Sequence, residues 1–487
     1  MSIGAIWIVS NWLIEADFIN YWKKFKSSPT IWMLLGILFF GLLSLMWSDD
    51  VAYGQKDLAR KMPFFAIPFA LGLGKPVEQK IVNFLLYIFI GMILLTSGIN
   101  FYRYYYVIGD SGDIREMSYF ISHIRFGIVV ALGIFAGIYL LLTKKGPWWL
   151  WMTAVIWMLF YTWKSQTING YVLTAVLGIF TWIYMIVKFR SKAVKISLSL
   201  GLLAILIISI VYVSDALSSF EKVEQVNLDE LEMYTPSGRE YKHFPEETLK
   251  ENGHLVWVYV QHEELEQEWQ KRSEIGYRDL DKKGQPMYGT LIRYMTSKNM
   301  RKDSVGVSHL SDEEIRMIEN GCASINMNAG FKGKMHEFLW QYESYKNGGD
   351  PNGQSLLQRL EHLKTAWSII LKNGLFGVGI GDVPAIFDQA YDERGSLLLE
   401  ENRHRSHNQF LTMWIALGLL GLIMLVGMLI IPLFKRKELD YFHWVVFITL
   451  FISCMFQDML ETQAGVTLFG LFYGITVYKE VRQSRES

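Results

Sequence analysis

The residues Arg403-His404-Arg405-Ser406-His407-Asn408 form the densest set of chemistry-bearing side chains in the sequence. Two arginines can grip a phosphate or pyrophosphate through paired N–H donors, and they stay charged at any working pH. A neutral histidine is the side chain best suited to take a proton from a hydroxyl near pH 7. The cluster therefore points to a phosphate-bearing ligand, with Arg403, Arg405, His404 and Asn408 as candidate contacts. The bland alternative is a basic anchor at a helix end, because the apolar run 410–434 follows at once.

Other candidates carry less. Arg359 lies on the polar side of an amphipathic stretch and reads equally as a solvated surface arginine. The short polar segment 164–169, with Lys164, Gln166 and Asn169, either caps two helices or lines the same cavity. Gly377-Val378-Gly379-Ile380-Gly381-Asp382 resembles a dinucleotide-binding pattern only superficially, since a helix rather than a strand precedes it. Glycines permitting close backbone approach are the better account of that turn, and Asp382 closes it as a further polar contact. His262-Glu263-Glu264 lacks the second histidine of a zinc-protease motif. His404 and His407 could share a metal, but no nearby carboxylate or cysteine completes a ligand set, so no metal is expected.

These residues sit in a chain of 487 residues that is 51% hydrophobic and 15% aromatic, with a mean hydropathy of +0.19. Only 19% is charged, against about 25% for an ordinary soluble protein. The charges concentrate between Asp215 and Arg405. Net charge is zero, so no nucleic-acid footprint is visible. Cys322 lies in polar surroundings and Cys454 in an apolar run, which argues against an internal disulfide. No cleavable signal peptide is seen. The interrupted stretch 3–14 reads as an interfacial segment or the end of a helix that starts before Met1.

A spanning helix needs about 20 mostly apolar residues. Such runs occur at 31–47, 81–99, 120–142, 147–163, 171–187, 196–213, 410–434 and 441–459, with weaker ones at 62–73 and 466–478. The fold expected is all-α and polytopic, with about 10–12 transmembrane helices counting the possible span 3–22. Lys23/Lys24/Lys26, Lys75/Lys80, Lys144/Lys145, Lys188/Arg190/Lys192/Lys195, Lys435/Arg436/Lys437 and the tail residues Lys479, Arg482 and Arg485 all fall on one side. By the positive-inside rule that side is cytoplasmic. The chain divides into an N-terminal bundle (1–214), a long outside loop (215–406), C-terminal spans (407–478) and a tail (479–487).

A loop of that length should be folded. Residues 255–260 read as a strand, while 263–272, 311–320, 356–371 and 384–390 read as helices. Ser311 and Glu314 form a capping box. Leu357, Leu360, Leu363, Ala366/Trp367 and Ile370 make the apolar face of the helix 356–371.

The order of these features carries a resemblance. Arg359-x7-Trp367, then the glycine segment 377–382, then His407-Asn408-Gln409-Phe410-Leu411 and Leu417-Gly418-Leu419-Leu420-Gly421-Leu422, resembles the O-antigen ligase/polymerase superfamily. The segments 43–48 and 58–68 look like that family's early helices, and 290–298 resembles a branch seen in Bacteroidota. The resemblance implies a GT-C-like inner-membrane protein with a large, mainly helical periplasmic loop. It implies glycan transfer from undecaprenyl pyrophosphate to an acceptor hydroxyl, without cofactor or metal. By position His407 would activate the acceptor and Arg359 would contact the pyrophosphate. Many members carry an arginine in the short outer loop where this chain has Gln166, Thr167 and Asn169, so Lys164, Arg403 or Arg405 would supply that charge.

Within the family the leading expectation is a ligase acting on lipid A-core oligosaccharide, then a polymerase, then a protein O-oligosaccharyltransferase. Membrane lipids are the other partners expected. A polysaccharide transporter or flippase is the alternative from a different class. It fits less well, because the two sides of the loop are unequal and Arg125 and Asp458 are the main charges within spans.

Overall fold

The structure, a computed structural model, describes residues 10, 13–108, 114–221, 231–247, 249–325, 330–346, 348–435 and 439–479. Most of the stretch 3–14, the basic pair Arg436 and Lys437, and the tail residues Arg482 and Arg485 fall outside the described residues. In chain order the helices begin with α1 (Phe18–Ser27), α2 (Pro29–Ser44), α3 (Val51–Leu73), α4 (Gln79–Tyr102), α5 (His123–Leu142) and α6 (Trp148–Ser165). Next come α7 (Ile168–Lys188), α8 (Lys192–Glu221), α9 (His262–Trp269), α10 (Met287–Ser297), α11 (Ser304–Ser308) and α12 (Asp312–Glu319). The last are α13 (Gly330–Lys346), α14 (Ser355–Asn373), α15 (Val383–Glu393), α16 (Gln409–Lys435), α17 (Tyr441–Phe456) and α18 (Gln463–Val477). Among the described residues the only named strands are β1 (Lys250–Glu251) and β2 (His254–Leu255), paired antiparallel.

Every one of the ten apolar stretches holds a helix, and the fold is that of an all-α polytopic membrane protein. Among the described residues five helices are long and apolar enough to cross a membrane, or six if α1 and α2, bent by 87°, count as one span. α17 and α18 are shorter apolar helices. Two boundaries differ from expectation. The weak run 62–73 is the end of a helix that starts at Val51, where the Asp50 carboxylate accepts the Tyr53 N–H at 2.8 Å. The loop expected at 164–169 shrinks to Gln166 and Thr167, because Lys164 and Ser165 belong to α6 and Ile168 and Asn169 to α7.

The chain separates into two compact units. The first comprises residues 1–195, 362–396 and 403–487. In it α5 packs against α4, α6, α7 and α17, while α3 packs on α18 and α2 on α16. Small residues set these approaches, as is usual where no water-driven force presses helices together. A Cβ on Gly133 would meet Ile93 Cδ1 at 2.5 Å, and one on Gly470 would meet the Pro63 carbonyl at 2.8 Å.

The second unit comprises 196–361 and 397–402. Trp269, Leu265, Leu291, Tyr294 and Ile318 lie in its core. The expected capping box at Ser311 and Glu314 is present. The expected strand 255–260 is cut to His254–Leu255 plus bridges from Val260 to Lys242 and Lys302. Val256, Val258 and Val260 are buried at alternate positions, but Tyr259 takes φ +57°, which no extended strand tolerates. Glu264 ties the unit internally, accepting from Thr235 Oγ1 at 2.7 Å, Ser304 N at 3.1 Å and Ser304 Oγ at 2.7 Å, and from Ser237.

Candidate functional site

The glycine turn is the frame on which the first unit's site is built. Gly377 and Gly379 take φ +77° and +95°, conformations that a side chain rarely allows. The turn lies against α16 at Gly418, whose φ of +68° interrupts that helix. The break leaves carbonyls without helical partners, and the turn supplies donors. Val378 N–H donates to Ile415 O at 2.9 Å and Gly379 N–H to Ala416 O at 3.0 Å. Non-helical backbone inside a membrane protein persists only where protein or a cavity satisfies it in this way. On its other side Ile380 N–H donates to Ser44 Oγ at 3.1 Å and Gly381 N–H to Ser48 Oγ at 3.2 Å. The Asp382 carboxylate accepts the N–H groups of Asp49 and Asp50 at 2.9–3.0 Å. Its oxygens are engaged at the start of α3.

That frame fixes where 403–408 runs. His407 has φ +51°, a strained value for a non-glycine residue that its surroundings must hold. Asn408 follows as a helix cap, its side-chain oxygen accepting Phe410 N–H at 3.0 Å and Leu411 N–H at 3.1 Å. Tyr391 of α15 donates its hydroxyl to the His404 carbonyl at 2.7 Å, and Arg403 pairs with Asp392 at 2.8 Å. His362 of α14 then meets both cluster histidines, its ring centroid 5.2 Å from His407 and 5.7 Å from His404. Among the described residues no group of His, Cys, Asp or Glu is arranged to hold a metal ion.

Arg405 leads to an ion network at the end of α3. It pairs with Glu461 at 2.7 Å and donates to the Tyr53 hydroxyl. Glu461 also accepts from Lys61 at 2.9 Å, and Lys61 is bonded to Asp57 one turn back. Lys61 and Asp57 are only 4% and 2% exposed. Burial alone would raise the pKa of Glu461, yet Lys61 and Arg405 together hold its carboxyl well below the usual range. Beside this network opens a cleft of about 410 Å³. Arg60, Arg403 and Arg405 line it with His404 and Tyr53, while Glu461 and Asp388 supply the negative charge. Arg60 also reaches Asp57 at 3.6 Å.

The structure thus brings together His404, Arg403, Arg405, His407, Asn408 and Asp382 within one unit. Arg359 belongs to the second unit and is half-buried near the start of α14. Lys164 lies over the rings of Trp163 and Tyr105 at 4.7 and 5.7 Å. Gln166 is an exposed turn residue with φ +52°, and the Asn169 amide nitrogen is buried without a hydrogen-bond partner.

Sequence reasoning missed His362, Arg60, Lys61 and Glu461. Arg60 and Lys61 carry the same signal that singled out Arg403 and Arg405, a basic pair on the side that the positive-inside reading expects to lie outside. His362 was hidden by a wrong face. The apolar stripe assigned to α14 includes Leu363 and Trp367, which are exposed at 39% and 50%. The buried positions are Leu357, Glu361, His362, Thr365, Ala366, Ile369 and Ile370. An apolar stripe does not reveal that the buried face of α14 also takes the polar side chains Glu361, His362 and Thr365.

The fold and the cleft define a polytopic membrane protein with an arginine- and histidine-lined site. Residues 305–426 match the family model described as O-antigen ligase. The match supports membership of the O-antigen ligase/polymerase superfamily, whose members are membrane glycosyltransferases. It contains Arg359, the glycine turn and the 403–408 cluster, and does not extend to 43–68 or 290–298. None of the curated proteins compared matches the chain.

Proposed function

We propose that the protein is an O-antigen ligase-type glycosyltransferase of the inner membrane, acting on its periplasmic side. It moves a glycan from undecaprenyl pyrophosphate to a hydroxyl of lipid A-core oligosaccharide. The observation that carries this reading is that the family match spans the one segment holding Arg359, the glycine turn and the Arg-His cluster beside the cationic cleft. His407 takes the proton of the acceptor hydroxyl as its oxygen bonds to the anomeric carbon. The bond from that carbon to the pyrophosphate oxygen breaks, and the electron pair leaves with the pyrophosphate. Arg359, Arg403 and Arg405 stabilise the charge that develops there, a task for which guanidinium groups can replace a divalent ion. His404, Asn408, Lys164, Gln166, Asn169 and Asp382 are the remaining residues assigned to substrate binding. Of these, Asn408 and Asp382 serve the fold as caps, so their contribution is to place the cluster.

The test is the surface polysaccharide of a deletion strain complemented with wild-type, His407→Ala or Arg359→Ala protein. Loss of ligation leaves long glycan on the lipid carrier and bare core on lipopolysaccharide. Core bearing a single repeat unit from either mutant would mark a polymerase instead. Normal surface glycan from both would remove the catalytic assignment.

A further inference from the structure

His407 is one of three imidazoles held within 6 Å of one another. Ring centroids stand 5.2 Å apart for His362 and His407, 5.7 Å for His362 and His404, and 5.9 Å for His404 and His407. His362 is only 2% exposed, on a helix where an apolar residue would pack as well. Tyr391 closes the far side of its ring, 6.3 Å away and nearly perpendicular.

We infer that His362 is a positioning residue for His407, holding its ring and sharing the proton that His407 takes from the acceptor hydroxyl. This rests on the reading of His407 as the base. Two features of the site support it. The left-handed backbone of His407 leaves its ring direction to be fixed by neighbours, and His362 is the nearer of the two imidazoles against it. The burial of His362 keeps its imidazole from rotating away, so the close approach to His407 is held. The acceptor O–H bond breaks, an N–H bond forms on His407, and the proton is then shared among the ring nitrogens of the trio until solvent removes it.

Among the described residues, the charged and titratable groups beside the trio include one from α15, one from the loop and one beyond α17. α15 supplies Tyr391, its hydroxyl already committed to the His404 carbonyl. The loop supplies Arg403, whose guanidinium stands 5.7 Å from the Tyr391 ring. Asp458, beyond α17, accepts the His407 backbone N–H.

The experiment uses full-length protein in lipid, with a lipid-pyrophosphate-linked glycan as donor and lipid A-core as acceptor. Wild type, His362→Phe, His362→Gln and His407→Ala are compared for kcat, KM and the dependence of kcat on pH. Phe keeps the volume and the edge contacts, while Gln keeps hydrogen bonding without titrating. The inference predicts that both lower kcat about ten-fold or more with KM unchanged, and that both displace the acid limb of the pH profile. A purely packing role predicts wild-type kcat and an unmoved profile for His362→Phe. Inactive His407→Ala together with wild-type kcat and profile in both His362 variants overturns the inference alone. Full activity in His407→Ala overturns the base assignment on which it stands.

Discussion

Glu461 answers two cations at once, and that sets its energetic weight. Lys61 and Arg405 both need it, and Lys61 is almost fully buried. Removing one partner of a buried charge network strands the others without compensation, at a cost of about 3–5 kcal/mol. Glu461→Ala is therefore expected to lower stability by that amount in denaturant melts of the detergent-solubilised protein, and an unchanged midpoint would contradict the network. The sequence showed one side of this site well. Arg403 and Arg405 stood out because basic residues are unusual on the side where the sequence reading expects this pair. Glu461 lay in a five-residue loop with no pattern to point at its partners, 400 positions away in Lys61. Pairings of that kind exist only once the helices are packed.

At the scale of elements, the glycine turn and the interrupted α16 form one device. Its glycines were legible as a close-approach turn, but the partner they approach was not, because nothing in an apolar run distinguishes Gly418 from Gly421 or Gly427. Gly377→Ala combines a strained φ with a Cβ 2.5 Å from the Gly418 nitrogen. It is expected to destabilise the fold by about 1–3 kcal/mol and to reduce folded protein recovered by gel filtration, whereas Gly178→Ala, which meets nothing within 4 Å, is expected to be neutral.

The second unit carries its own pH signature. Burial would raise the Glu264 pKa, but hydrogen bonds from Ser237, Thr235 and Ser304 outweigh it and bring the carboxyl from 4.5 down to about 2. A depressed carboxylate contributes stability that is complete above its unfolded value and is lost as pH falls from there toward 2. Melting temperature should thus drop between pH 5 and pH 3 in wild type. Glu264→Gln should start lower and show a shallower drop, and parallel curves would contradict the assignment.

For the whole molecule, the apolar helices were the most legible feature, since every expected apolar run holds a helix, although only five or six of the described helices are long enough to span. Helix ends were less so, as α3 shows by running eleven residues before its apolar part. The face that each helix buries was the least legible, because lipid and core are both apolar. α14, which is not among the spans, likewise buries His362 and Thr365 while exposing Trp367. The consequence reaches function, since the third imidazole of the cluster lay on the face taken for solvent.

The central claim is histidine-assisted glycan transfer that arginines can support without a divalent ion. It is met most directly by purified protein in liposomes, given labelled lipid-pyrophosphate glycan and lipid A-core, with a strong chelator present. The account predicts label on the core in wild type and none above background with His407→Ala. Transfer undiminished by His407→Ala, or abolished in wild type by the chelator, would contradict it.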